Sequence, residues 1–124
     1  MPGLFDGFVQ RGMSLRNRIM MSPMCQWVAT EDGLATDWHL VHYGSRAAGG
    51  VGLVMIEATA VEPGGRISEH DLGLWSDRQV EPLARIVRFC HDQGARVGVQ
   101  LGHAGRKAWS DARGFGPEIP VAPS

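Results

Sequence analysis

Apolar residues along the chain fall into short unbroken runs that alternate with segments where they recur at helical spacing. Ile19, Met20 and Met21 form the first run, with basic residues just before it, and read as a buried strand. Ser22 followed by Pro23 stops that strand, because proline cannot donate to a sheet ladder. The run 51–60, VGLVMIEATA, is apolar almost throughout, the pattern of a strand covered by helices on both faces, with Glu57 near its carboxyl end. A third run, RVGVQL at 96–101, is followed by the glycine-rich loop Gly102, His103, Ala104, Gly105, Arg106.

Between the runs lie two helical segments. Thr36 or Asp37 can cap a helix whose apolar residues include Trp38, Val41 and Ala48, and Gly49 with Gly50 ends it. After a loop at 61–75, turned by Pro63, Gly64 and Gly65, Ser76 or Asp77 caps a second helix with Pro82 in its early turns. Val80, Leu83, Ala84, Val87 and Cys90 make one apolar face of it, and Gly94 closes it. Ahead of all this, 4–16 alternates short apolar stretches with Gly7 and Gly12, an extended N-terminal cover and not a core element. The order strand, helix, strand, helix, strand predicts an α/β fold with a parallel sheet and right-handed crossovers. Ligands of such sheets gather at the carboxyl ends of the strands. SPMC, EATA and QLGHAGR therefore point to one common face.

Composition narrows the classes open to the chain. At 124 residues, 44% apolar and 20% charged, it has enough material for one packed domain and none of the signature of disorder. A net charge of -1 with scattered Lys and Arg offers no basic stripe for nucleic acid. No apolar run approaches the roughly 20 residues of a membrane helix, and 1–12, MPGLFDGFVQRG, lacks the plan of a signal peptide. The expectation is a cytoplasmic protein without nucleic-acid or membrane partners. Cys25 and Cys90 lie far apart without paired spacing, so neither a zinc site nor a disulfide framework is expected.

Candidate chemistry concentrates in NRIMMSPMCQW at 17–27. Met24, Cys25 and Trp27 place a thioether, a thiol and a large aromatic within four residues, at a strand end where a flat, redox-active aromatic ligand would fit. The alternative is a cysteine that only packs, since unpaired cysteine is among the most buried residue types. His39 and His42 have i, i+3 spacing, but no third ligand accompanies them, which favours structural roles. Glu57 is expected to pair with a helix base, and Cys90 to sit in the core. His103 and Arg106 stand on the presumed active face, with site and fold-supporting roles both open.

SPMCQW after the first strand, HLVHYGSRAAGGVGLVMIEATAV through the second, GVQLGHAGRKA at the third, and the final VAPS together resemble the N-terminal part of the Old Yellow Enzyme family, in particular its cysteine-bearing branch. The likeness covers essentially the whole chain, with separated motifs in the right order. It implies a TIM-type (β/α)8 barrel binding FMN at its carboxyl-end face, reduced by NADPH or NADH and reoxidised by a small activated alkene such as an enone. Residues 1–124 would form a partial flavin-binding domain, about three βα units behind the extended cover. Residue by residue, the resemblance puts Ser22, Pro23, Met24 and Cys25 along the flavin. It puts Ala58 where a small side chain lets the ring system lie close, and Gln100 where a carboxamide pairs with the pyrimidine edge. Cys25 resembles the thiol that tunes the flavin's potential. Trp27 departs from the tyrosine common in that branch and offers only an indole N–H on the substrate side.

A whole barrel of this type takes about 250 residues or more. The resemblance thus implies that the substrate-holding His-His or His-Asn pair, a proton-donor tyrosine, an arginine near the flavin and the phosphate-binding loops lie beyond position 124. Apolar strand edges that a closed barrel would hide invite a homo-oligomer or a complementing chain. The reading that follows is the flavin-facing part of an ene-reductase. A non-catalytic remnant or flavin-binding module is the alternative.

Overall fold

The computed structural model of the chain describes residues 1–109, so the closing VAPS motif lies outside the described residues. Strands β1 (Phe8–Gln10) and β2 (Met13–Leu15) form an antiparallel hairpin, with Gln10 opposite Met13 across the turn. The extended cover expected at the N-terminus is therefore a two-stranded ribbon. It leads into β3 (Met20–Met21), α1 (Asp37–Ala48), β4 (Leu53–Ala60), β5 (Leu72–Gly73), α2 (Val80–Asp92) and β6 (Arg96–Gly102).

All pairings in the second sheet are parallel and all are made to β4. β6 runs along one side of β4 for its whole length. β3 pairs with the start of β4, at Leu53 and Val54, and β5 with its end, at Thr59 and Ala60. The predicted alternation and the parallel sheet are thus present. β5 was not foreseen: Leu72 and Gly73 lie inside the stretch expected to be only a loop, and a two-residue strand carries no periodicity to read. The strand expected from Ile19 is also shorter, β3 covering Met20–Met21 alone, and it is only half buried, with Met21 inside and Met20 54% exposed.

The ladder between β4 and β6 contains a bulge. Ile56 pairs with Val99 and Ala58 with Gln100, leaving Glu57 as an extra residue on β4. Ile56 and Glu57 are consequently both buried, which strict alternation forbids.

The two helices pack on one another and on this sheet. The core joins Met21, Tyr43, Ala47, Val54, Ile56, Leu72, Leu83, Ile86 and Cys90. Gly44 lets the helices meet, since a Cβ there would lie 2.7 Å from the ring of Phe89. The α1 face differs from the expectation. Trp38, Val41 and Ala48 are exposed, and His39, His42, Tyr43, Gly44 and Ala47 face inward. The reason is polar. The buried carboxylate of Glu57 needs donors, and the His39 and Tyr43 side chains supply them. On α2, Leu83 and Cys90 are buried as the spacing implies, Ile86 outside the predicted face is buried with them, Ala84 and Val87 are half-buried, and Val80 is exposed.

Arg16 closes the end of the sheet opposite the expected ligand face. Its guanidinium donates to the carbonyls of Ala47 in the last turn of α1, of Val51 beyond it and of Gln93 after α2, at 2.6 to 3.2 Å, satisfying groups that helix ends leave open. Asn17 adds a 2.7 Å bond to the Gly50 carbonyl.

The outer edge of β6 has no partner strand among the described residues, and Leu101 on it is 56% exposed. An apolar parallel edge of this kind recruits further strands. We expect the isolated 124-residue chain to associate in solution, as read by light scattering. A monodisperse monomer with strongly protected β6 amides would contradict this.

Candidate functional site

The loop leaving β3 is held by side chains. The Gln26 carboxamide donates to the Met24 carbonyl at 2.9 Å and accepts the indole N–H of Trp38 at 3.1 Å, which ties the loop to the start of α1. Trp27 then sits at φ +53, a left-handed backbone that a bulky residue rarely adopts. Ser22 and Met24 are exposed, and Cys25 is partly buried.

The loop after β4 is fastened to the first. The Ala29 N–H donates to the His70 carbonyl at 3.0 Å, and the buried Arg66 donates to the carbonyls of Glu31, Glu69 and Pro63. The Arg66 guanidinium lies over the rings of Trp75 and Trp109, 5.5 and 5.1 Å from their centroids. The same loop is joined to the one after β6. Val61 donates to the Gly102 carbonyl and Ala104 to that of Gly65. His103 accepts the Gly105 N–H on Nδ1 at 2.9 Å, which leaves its proton on Nε2 to donate to Glu62, 2.6 Å away.

Where the three loops meet, the strand carboxyl ends open into a cavity of about 330 Å³. Cys25, Ala58 and Gln100, all singled out in the sequence, line it together with His103. Ser22, Pro23, Met24 and Trp27 belong to the same loop as Cys25 but are not among its lining residues, and neither is Arg106. Sequence reasoning passed over Gly65, Ile67 and Asp71, which the 61–75 loop folds into the wall. The turn at Pro63, Gly64 and Gly65 was the only signal that this loop doubles back.

The chemistry of the cavity follows from its lining. The Gln100 carboxamide has no hydrogen-bond partner among the described residues, so donor and acceptor are both available. Ala58, beside it across the ladder, presents only a methyl group. Asp71 is buried, and its carboxylate accepts from the Ile67 N–H at 2.6 Å and from the Ser68 hydroxyl at 3.0 Å. Burial pushes the Cys25 thiol above its ordinary value, and the carboxylates of Asp71 and Glu57 push it further. Backbone N–H groups of Ala58 and of Cys25 itself oppose that shift only in part. At neutral pH the group is a thiol.

Behind the cavity wall lies the buried network of α1. His39 Nδ1 accepts the Thr36 N–H at 2.9 Å, which leaves the Nε2 proton to donate to Glu57 Oε1 at 3.2 Å. The Tyr43 hydroxyl donates to Glu57 Oε2 at 3.1 Å and accepts the Glu57 N–H at 2.9 Å. Burial raises the Tyr43 phenol far above its usual range. Glu57 and His39 therefore take the structural roles expected of them. No group of three or more metal-ligating side chains occurs among the described residues.

A parallel α/β sheet with a cavity at its strand carboxyl ends has the plan of barrel and doubly wound folds, whose ligands gather at that end. Comparison with known proteins takes this further. The profile of the NADH:flavin oxidoreductase / NADH oxidase family matches residues 3–124, and the chain belongs to that family. An NADPH dehydrogenase from Listeria monocytogenes serotype 4a is 58% identical over 109 residues, covering 87% of this chain and 32% of that protein. The Old Yellow Enzyme homologue from Zymomonas mobilis superposes with a TM-score of 0.87 at 36% identity, over 99% of this chain and 33% of that one. Morphinone reductase, solved in complex with tetrahydroNAD, gives a TM-score of 0.85 at 33% identity over 100% of this chain and 33% of its own. The chain thus spans about a third of the length of these relatives. The resemblance to Old Yellow Enzymes read from SPMCQW and the later motifs holds.

The lining fits the family's flavin. A flat heterocycle with N–H and carbonyl groups on one edge matches a free carboxamide next to a methyl-sized wall, and a neutral thiol can donate to it. Because the thiol is raised, we expect Cys25 to react with iodoacetamide more slowly than free cysteine at pH 7.5, with the rate climbing only in alkaline solution. Peptide-resolved mass spectrometry across pH measures this. A rate at pH 7.5 above that of free cysteine would contradict it.

Proposed function

We propose that this chain supplies the flavin-facing strand ends of an FMN-dependent NAD(P)H:alkene oxidoreductase, an ene-reductase acting on activated C=C bonds such as those of enones. The observation that carries the reading is the convergence of Cys25, Ala58 and Gln100 on one cavity at the carboxyl ends of β4, β6 and the loop after β3. In this reading the chain contributes about three βα units of an eightfold barrel, and the edge of β6, which has no partner strand among the described residues, is where further barrel strands would pair. Bound FMN would supply hydride transfer between a nicotinamide and the alkene.

The chain's own residues have separable tasks. Gln100 presents its amide to the flavin's pyrimidine edge, and Ala58 leaves room for the ring system. Ser22, Pro23, Met24 and Cys25 run alongside it. Cys25 donates through its thiol near the reactive edge and sets how strongly each redox form is held. In this reading Trp27, 55% exposed on the same loop, would offer its indole N–H on the substrate side. A non-catalytic flavin-binding module would use the same cavity without the reaction.

Two measurements test the reading. The 124-residue chain alone, given FMN and NADPH, is expected to turn over cyclohexenone little or not at all, because the substrate-holding groups implied by the family are not among these residues. Robust turnover would overturn that. In the complete catalytic assembly, Cys25→Ala removes a hydrogen bond of about 0.5–1.5 kcal/mol net. If that bond differs between redox states, the flavin potential shifts by up to a few tens of millivolts, at roughly 30 mV per 1.4 kcal/mol for two electrons. The alkene-reduction rate should change without vanishing. An unchanged potential with complete loss of activity would mean covalent chemistry at Cys25 instead.

A further inference from the structure

We propose that Gln26, backed by Trp38 of α1, is a positioning residue for the Cys25 thiol. The two neighbours take opposite sides of the chain. Cys25 lines the cavity at the strand ends, whereas Gln26 lines a second cavity, of about 270 Å³, between the loop after β3 and α1. On that side the Gln26 carboxamide is engaged at both ends. Its Nε2 donates to the Met24 carbonyl at 2.9 Å, and its Oε1 accepts the Trp38 indole N–H at 3.1 Å. The partners fix its orientation, because a carbonyl can only accept and an indole N–H can only donate.

The first of these bonds closes a ring from the Met24 carbonyl to the Gln26 side chain, and the whole backbone of Cys25 lies within that ring. Cys25 therefore cannot change its φ and ψ without straining the bond, and those angles set the direction of its Cβ–Sγ bond. The second bond fastens the ring to the helix. Packing contributes little to that attachment, since the space between loop and helix is the open cavity, with Val41, His42 and Arg46 as its other walls.

The residue that follows is strained. Trp27 has φ +53, a left-handed backbone that disfavours a large side chain, and its relaxation would swing the chain on the Cys25 side. The stretch is anchored at its ends by Met21, paired with Val54 in the sheet, and by Ala29, whose N–H donates to the His70 carbonyl at 3.0 Å. Gln26 stands between these anchors and holds the strained turn from the helix side. The inference rests on the flavin reading only for what the thiol would meet in the cavity, not for how the thiol is held.

Alkylation of Cys25 by iodoacetamide at pH 8, resolved by peptide mass spectrometry in the full 124-residue chain, tests the role, with the buried Cys90 of α2 as internal control. Gln26→Ala should speed Cys25 about three- to tenfold, the range expected when a hydrogen bond opposing local opening is lost, and leave Cys90 unchanged. Trp38→Phe, which keeps a ring and loses the N–H, should also speed it. The double variant should be no faster than Gln26→Ala, because the indole acts through the carboxamide. Asparagine accepts left-handed backbone, so in a Trp27→Asn background Gln26→Ala should speed Cys25 less than about twofold. An unchanged Cys25 rate in Gln26→Ala, an equal rise at Cys90, rates that multiply in the double variant, or a full effect in the Trp27→Asn background each overturns the proposal. The complete catalytic assembly supplies two further readouts. Gln26→Ala added to Cys25→Ala should not move the flavin potential further, since its effect passes through the thiol, and an additional shift overturns the proposal. Bound FMN should slow alkylation of Cys25; if it does not while the other results hold, the flavin reading fails and the positioning role stands.

Discussion

A buried carboxylate on a central strand must be given donors, and that requirement organises this fold. Glu57 lies on β4, the strand to which β3, β5 and β6 all pair, so its partners have to come from the layer packed above the sheet. α1 supplies them by turning His39 and Tyr43 inward. Removing one partner of such a buried charged group leaves it uncompensated, at a general cost of about 3–5 kcal/mol. The helix therefore cannot rotate to bury Trp38 and Val41 without losing the donors. Its azimuth on the sheet, and with it the approach of Phe89 on α2 to Gly44, follows from the polar network as much as from apolar area.

The same network reaches the cavity because the bulge has two sides. On the helix side, Tyr43 holds the Glu57 amide; one residue further on, Ala58 lines the cavity together with Cys25. A bulge also shifts the facing of everything beyond it by one position. Ala58 and Gln100 come into register there, and their side chains share the cavity. A regular ladder would send one of these pairs to the other face. Structural burial and the chemistry of the strand ends are in this way two consequences of one extra residue.

The loops above the sheet are joined by polar contacts, not by apolar packing. Arg66 gathers three carbonyls and two indole rings, and the Glu62–His103 pair closes the wall beside Gln100. At the other end, Arg16 and Asn17 satisfy the carbonyls that α1 and α2 leave open. The sheet thus has a sealed lower end and an open, polar upper one. Ligands in parallel α/β folds sit at the upper end, where strand carboxyl ends leave room and loops carry the chemistry.

Much of this was legible along the chain. Continuous apolar runs mark strands buried on both faces, glycines mark helix ends, and their alternation sets a parallel sheet, because these patterns depend on local geometry and on solvent alone. The motifs around Cys25, Ala58 and Gln100 identified the family and the face. What the sequence could not carry were relations between distant segments. The face of α1 was misread because Trp38, Val41 and Ala48 are the apolar residues, while His39, His42 and Tyr43 are the buried ones. Hydropathy has no term for a carboxylate on another strand. β5 was missed because two residues pair only where β4 offers an edge, and Asp71 and Ile67 enter the cavity only because Arg66 folds their loop back. Local pattern determined which elements form and in what order. Tertiary structure decided which faces they turn to one another, because hydrogen-bonding a buried charge is a demand that acts across the fold.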